Sequence, residues 1–346
     1  MTTPSIKTAL CSFGMSGKVF HAPFIHAHPG FDLYAVFERS KKSASETYPG
    51  IISFDNFDAM LADDNVELVI VNTPNGTHYE YAKQALHAGK HVIVEKPFVV
   101  RNSEGEELIA LAAAKQKVLS VYQNRRWDSD FQLVKRVVDE KLLGDIVEVE
   151  IHYDRFRVEL SPKVHKESAI PGAGLLYDLG PHLIDQALQL FGTPTKIFAD
   201  LEIMRPLSVV DDYIELLFYY SKKRVRLRAS NIVKAPLPAY VLHGVNGSFV
   251  KSRADVQEND LIAGKSLHDA DWGLESEAEK GVLTTVTNQV EKLSAGKGDY
   301  MKYFEGMYKA IREKGTVPVT AEQALENIKI IEAAIVSSKE KRVVKL

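Results

Sequence analysis

Ile6-Lys7-Thr8-Ala9-Leu10-Cys11-Ser12-Phe13-Gly14-Met15-Ser16-Gly17 is a short apolar run that empties into a turn with two glycines and then into an amphipathic stretch over 17–28. The order strand, tight turn, helix, with Gly14 and Gly17 at the last two glycine positions of G-x-G-x-x-G, predicts a turn that cradles phosphate. Bare backbone can lie against a pyrophosphate there, and the free N–H groups and positive dipole end of the helix point at it. Ser12 stands where this fingerprint has its first glycine. Taken alone, such a turn is also an ordinary strand-to-helix connection.

The pattern repeats outward from this turn. Apolar runs at Ile6–Ser12, Phe31–Phe37, Leu68–Asn72, His91–Glu95 and Val118–Tyr122 alternate with helical stretches near 17–28, 55–63, 77–88 and 103–116. This alternation predicts an α/β Rossmann dinucleotide-binding domain over residues 1–123, with a parallel sheet. Beyond residue 124 the pattern changes. A helix near 128–141 precedes strands at Asp145–Arg155, Lys196–Met204, Tyr213–Tyr220, Arg224–Ile232 and Tyr240–Val250, and helices near 299–314 and 321–338 follow. The expectation for 124–346 is an α+β domain with an open, mainly antiparallel sheet that serves substrate binding and oligomerisation. Asn246-Gly247 predicts a type I′ hairpin, because both residues tolerate positive φ. Residues 252–288 are polar and show no usable period.

The 346 residues suffice for about two domains. Lys and Arg number 43 against 46 Asp and Glu, a net charge of −3 that offers no basic field to a nucleic acid or an acidic membrane. No run approaches the roughly 18 apolar residues of a membrane span, and the N-terminus lacks the apolar stretch and cleavage site of a signal peptide. One cysteine, Cys11, forms no internal disulfide, which fits a reducing compartment, the cytoplasm.

Three further groups carry chemistry. Glu38 follows Gly17 by 21 residues, where a carboxylate accepting ribose hydroxyls favours NAD. Arg39-Ser40-Lys41-Lys42 comes next, cations that suit the 2′-phosphate of NADP or a solvated loop. Glu95-Lys96-Pro97 sets a lysine at the carboxyl end of a buried strand, where open α/β sheets bind ligands and an X-Pro bond can be cis. Lastly, Gly172-Ala173-Gly174 leads into a helix on which Asp178, His182 and Asp185 share a face. His182 suits a general base taking a proton from an alcohol, oriented by Asp178. The same three residues also admit a divalent metal, with lyase or hydrolase chemistry, or a structural helix capped by Asp178.

Taken together, Gly14-x-x-Gly17, Thr73-Pro74-Asn75-x-x-His78, Ala88-Gly89-Lys90-His91, Glu95-Lys96-Pro97 and Asp178-x-x-x-His182 resemble the Gfo/Idh/MocA oxidoreductases over most of positions 6–190. The wording of 13–24 and 123–128 resembles the subgroup with NADP-dependent scyllo-inositol dehydrogenase. The resemblance implies a two-domain dehydrogenase passing a hydride between nicotinamide C4 and a secondary hydroxyl or ketone of a cyclic polyol or sugar. It implies Lys96, Asp178 and His182 as the catalytic set, a cis Lys96–Pro97 bond, no metal, and NADP in preference to NAD. Gly14, Met15, Ser16, Gly17, Glu38 or Arg39, Thr73, Asn75, His78, Glu95 and Lys96 would then lie along the cofactor. Asn124, Arg125 and Trp127, where the second domain begins, and Tyr153 and Arg155 on its first strand offer polar and planar groups to a ring of hydroxyls. Tyr153, Arg155 and Arg157 can equally pair with acids at a subunit contact. A homodimer or larger assembly is expected, since an open sheet wants covering. A sensor that binds the nucleotide without turning it over is the rival reading.

Overall fold

The computed structural model describes residues 4–40, 42–235 and 237–346, so Lys41 of the basic run lies outside the described residues. The chain divides into two units. One holds the residues up to Asn124 together with Gln257–Trp272 and Tyr300–Leu325; the other holds Arg125–Val256, Gly273–Asp299 and Glu326–Leu346.

The first unit contains six strands, β1 (Ile6–Leu10), β2 (Phe31–Phe37), β3 (Ile52–Phe54), β4 (Leu68–Val71), β5 (His91–Glu95) and β6 (Leu119–Tyr122), in the order β3-β2-β1-β4-β5-β6. Every neighbouring pair is parallel. Leu68, Val69, Ile70 and Val71 are each fully buried, because crossover helices cover both faces of a parallel sheet, hence the unbroken apolar run. The order reverses between β1 and β4, and ligands of such sheets bind at the carboxyl ends of the strands flanking that point. Strand β3 is absent from the sequence reading; it is three residues long and sits at the edge beside β2.

A helix from the far part of the chain, Met301–Arg312, completes this unit. Tyr303 Oη lies 2.8 Å from Ser120 Oγ on β6, and Phe304 stacks on Phe24 with centroids 5.3 Å apart. Tyr122, Tyr300, Tyr303 and Phe24 are all buried, and burying each such ring is worth about 1.5–3 kcal/mol.

The second unit is built on nine strands, β7 (Ile146–His152), β8 (Lys196–Glu202), β9 (Tyr213–Tyr219), β10 (Arg224–Ser230), β11 (Tyr240–Gly244), β12 (Gly247–Lys251), β13 (Gly281–Thr285), β14 (Val290–Leu293) and β15 (Val344–Lys345). Their order is β14-β13-β12-β11-β7-β10-β9-β8-β15, antiparallel except for the β7–β10 pair. Strand β9 alternates: Ile214, Leu216 and Phe218 are fully buried, whereas Tyr213, Glu215, Leu217 and Tyr219 are half-buried on the other face. That second face carries a charged ladder, Arg226 to Glu150 at 2.5 Å and to Glu215 at 3.1 Å.

The hairpin departs from the sequence expectation. Gly244 pairs with Gly247, so the two-residue loop is Val245-Asn246 rather than Asn246-Gly247. Neither Val245 nor Asn246 has positive φ, so the turn is not type I′. At the start of the turn the backbone and Cβ of Leu143 leave no room for a side chain on Gly244. Among the described residues no helix is long and apolar enough to cross a membrane.

Candidate active site

The phosphate turn is held by Asn72, the residue that follows β4. Ser12 N donates to Asn72 Oδ1 at 2.9 Å, Ser12 Oγ donates to the Asn72 carbonyl at 2.9 Å, and Asn72 Nδ2 returns a bond to the Ser12 carbonyl at 2.9 Å. A serine in the first glycine position therefore ties the turn down. A Cβ on Gly17 would strike the Ser12 carbonyl and lie 2.9 Å from Asn72 Nδ2, so helix and strand approach too closely for any other residue. A Cβ on Gly14 would meet nothing within 4 Å. The bareness at Gly14 is thus not demanded by the protein's own packing, and the space beside it suits a pyrophosphate. The helix begins with a π turn over Gly17–His21 before the α-helical Ala22–Ala27.

This π turn delivers His21 to Glu95. The Glu95 carboxylate accepts from His21 Nε2 at 2.9 Å, from Ser16 Oγ at 2.6 Å and from the Lys96 backbone N–H at 3.1 Å. Burial alone would raise this carboxyl; the hydrogen bond and charge of His21, with Ser16 and Lys96, outweigh it and hold it at about 2. Glu95 thereby locks the phosphate turn to the strand end that carries Lys96. The Lys96–Pro97 bond is cis. His78 is buried, its Nδ1 2.7 Å from the Pro97 carbonyl and its Nε2 2.9 Å from the Thr73 carbonyl, so it bridges the ends of β4 and β5. Burial lowers its pKa against the pull of those two carbonyls.

A crevice of about 490 Å³ opens beside the turn, bordered by Ser12, Lys18, Arg39, Ser40, Thr73 and Tyr81 among others. Glu38 stands at its edge but turns inward. Its carboxylate accepts from Ser43 N (2.9 Å), Ser43 Oγ (3.2 Å), Ala44 N (3.3 Å) and Ser53 Oγ (2.8 Å). Those four donors take up the Glu38 carboxylate, whereas Arg39, Ser40 and Lys42 are exposed. The residues of this unit fit a dinucleotide: a bare turn at a helix start, and a crevice whose rim offers hydroxyls and a guanidinium. Asn75 begins the 3-10 turn Asn75–Thr77 after β4, and Met15 is exposed on the phosphate turn.

In the second unit Asp178 and His182 do not share one continuous helix. Leu175–Asp178 ends at Leu179, and Gly180–Phe191 starts anew with Pro181, which has no N–H to continue the ladder. Asp178 is therefore not a cap. That cap is Asp211, whose carbonyl takes Leu175 N (2.8 Å) and whose carboxylate takes Leu176 N (2.6 Å). Burial pushes the Asp211 carboxyl up to about 6. Gly174, at φ 88°, lets Asp211 approach, since a Cβ there would collide with its carboxylate. Asp178 accepts from Lys166 Nζ at 2.8 Å and from an Arg155 guanidinium nitrogen at 3.5 Å. His182 is buried. Asp185 leaves this group altogether and makes a bidentate pair with Arg126, both bonds 2.8 Å. Among the described residues no three His, Cys, Asp or Glu side chains converge as a metal site would require.

Tyr153 gathers the predicted Arg125 and Arg155 together with Arg253. The guanidiniums of Arg125, Arg155 and Arg253 lie 5.2, 4.9 and 4.2 Å from its ring centre, a favourable arrangement of cations against a π face. Asn124, Arg125, Arg126 and Trp127 form one 3-10 turn, with Trp127 half-buried and its carbonyl accepting from Asp299 N at 3.1 Å. Arg157 is exposed. The structure thus joins Gly14, Ser16, Gly17, Glu95 and Lys96 in one unit, and Arg125, Tyr153, Arg155 and Asp178 in the other. The sequence reading missed His21, Lys166 and Arg253. The first lay inside a stretch already quoted, whereas the other two carry no local signal.

Comparison with known proteins agrees with this architecture. A family model described as an oxidoreductase family with an NAD-binding Rossmann fold matches residues 6–123, and a second, for the C-terminal alpha/beta domain of that oxidoreductase family, matches 135–346. The oxidoreductase YdgJ of Escherichia coli K12 is 38% identical over 97% of each chain. The scyllo-inositol 2-dehydrogenase (NADP(+)) IolW of Bacillus subtilis is 37% identical over 99% of this chain and 96% of its own. Among solved structures, the oxidoreductase yvaA of Bacillus subtilis superposes with a TM-score of 0.96 at 36% identity, covering 100% of this chain and 99% of that one.

Proposed function

Since the chain belongs to the Gfo/Idh/MocA family and is an NAD(P)-dependent oxidoreductase, we propose that it interconverts a secondary hydroxyl and a ketone on a cyclic polyol or sugar, with NADP preferred to NAD. The carrying observation is Glu38: the acid that would select NAD is spent on Ser43, Ala44 and Ser53, which leaves Arg39 and Ser40 to meet a 2′-phosphate. The full-length relative whose name is scyllo-inositol 2-dehydrogenase (NADP(+)) supports both halves of the proposal.

Gly14, Met15, Ser16 and Gly17 hold the pyrophosphate by backbone N–H groups, and Thr73, Asn75 and Glu95 line the rest of the dinucleotide, with His78 bracing the strand ends. When bound, the nicotinamide exchanges a hydride at C4. Lys96, Asp178 and His182 are the catalytic set; His182 takes the hydroxyl proton during oxidation and returns it during reduction, oriented by Asp178. Asn124, Arg125, Trp127, Tyr153 and Arg155 address the remaining hydroxyls. The single buried Cys11 suits the cytoplasm as the place of action.

Fluorescence titration of the apo-protein with NADPH and NADH tests the cofactor half. NADPH should bind at least about tenfold more tightly, and Arg39→Ala should erase that margin by weakening NADPH alone. Equal affinities in the parent protein would remove the NADP preference, and binding of neither would remove the dinucleotide reading. Inositols and aldoses with NADP are then the substrates to screen. The half-buried β9 face, with its alternating tyrosines and Arg226–Glu150 ladder, is the surface on which two copies would meet. Light scattering after size exclusion should give a dimer or a multiple of it; a monomer at working concentration would exclude the assembly.

A further inference from the structure

We propose that Lys166 is a positioning residue for the reaction, acting through Asp178; this rests on the reading of Asp178 as part of the proton-handling set. Lys166 closes the 3-10 turn Val164–Lys166, in the loop that follows β7. Its ammonium lies 2.8 Å from Asp178 Oδ1, while Arg155 stands 3.5 Å from Oδ2.

The backbone beneath Lys166 is anchored with unusual care. Glu167, the next residue, accepts from Ser161 N at 2.8 Å and pairs with Arg205 at 2.9 Å. Arg205 is buried and pairs in turn with Asp212 at 2.8 Å, and the Asp212 carboxylate also takes the N–H groups of Met204 (2.7 Å) and Arg205 (3.0 Å). A charge network of this kind is costly to desolvate and is tolerated only with good geometry and satisfied hydrogen bonds. Lys166 and Asp178 are themselves partly exposed, and a pair between exposed side chains contributes little to stability. The buried network therefore fixes in place a contact that the fold itself hardly needs.

The consequence falls on Asp178. With Oδ1 held by Lys166 and Oδ2 facing Arg155, the carboxylate keeps one orientation. Lys166 thus sets the angle at which the Asp178 carboxylate is presented, the kind of placement on which rate depends steeply.

The test is a double-mutant cycle on the full-length protein, assayed with NADP and the best substrate among scyllo-inositol, myo-inositol and glucose. Lys166→Met should lower kcat by at least about tenfold with KM changed less than about threefold, while NADPH affinity and Tm stay at parent values. Lys166→Arg should recover most of the rate. Asp178→Asn should be at least as impaired, and the double variant no worse than Asp178→Asn alone, since Lys166 acts only through that carboxylate. An unaffected Lys166→Met beside an impaired Asp178→Asn would overturn the proposal, as would additive losses or a fall in Tm without a fall in kcat. An unaffected Asp178→Asn would instead overturn the reading of Asp178 on which the proposal rests. No turnover of any of the three sugars removes the polyol reading, and the Lys166 proposal with it.

Discussion

Replacing His182 with alanine lowers turnover by at least about a hundredfold and leaves NADPH binding unchanged, because a positioned general base is worth about 10²–10⁴ in rate. The two readouts separate because the dinucleotide determinants, from the bare turn at Gly14 to the Arg39 loop, belong to the first unit, whereas His182 sits on the Gly180–Phe191 helix of the second. His182 is buried, so alanine also leaves a small cavity. His182→Gln keeps most of the volume, and it should lose rate to a similar extent with Tm near that of the parent. Steady-state kinetics with NADP and the best sugar, beside a fluorescence titration with NADPH, measures both. Turnover within a few-fold of the parent in either variant would take the proton role away from His182.

The second large effect is on stability. Asp185→Asn should lower the free energy of unfolding by about 3–5 kcal/mol, since breaking a buried pair leaves an uncompensated charge. Arg126 and Asp185 have side chains 9% and 4% exposed and share two bonds of 2.8 Å. An amide can accept only one of those bonds and turns its own donors toward the guanidinium. A whole domain is stable by only about 5–15 kcal/mol, so the shift in the urea midpoint should be plain. The same residue separates redox chemistry from metal-dependent chemistry. If Asp185 works by holding Arg126, dialysis against EDTA leaves turnover intact. Loss of activity on chelation, restored by zinc or manganese, would return Asp185 to a ligand role.

How much of this could be read from the chain alone depended on where the physical cause lay. Strands β2 and β5 match their expected bounds, since short apolar runs such as Leu33–Phe37 and Val92–Val94 are a local signal. Strand β3 did not, because Ile52–Phe54 is a strand only by pairing with β2. The turn lies at Val245-Asn246, one residue before Asn246-Gly247, because strand pairing extends to Gly244 and Gly247, and pairing is not a local signal. The polar stretch after Ser252 gains its order from distant partners as well; Gln257 Oε1 accepts from Tyr300 N at 2.8 Å. In the candidate site the identities of Glu38, Lys96, Asp178 and His182 were legible, but their partners were not. Glu38 and Arg39 read as rival cofactor selectors, and nothing local signals that Ser43, Ala44 and Ser53 bond the Glu38 carboxylate. Pro181 did carry the signal for the break between Asp178 and His182, and reading it as a helix start would have placed that break.

The Met301–Arg312 helix has a consequence for how the chain is made. The aromatic groups that close over β6 and Phe24 leave the ribosome about 180 residues after the last strand they cover. At about 5–20 residues per second, that interval is roughly 10 to 40 seconds. Throughout it the nascent nucleotide-binding unit shows the surface around Phe24 and Tyr122 bare, in a form that invites chaperones. Its completion must wait until the intervening second unit has been almost wholly translated, so vectorial synthesis completes the two units nearly together instead of finishing one before the other begins.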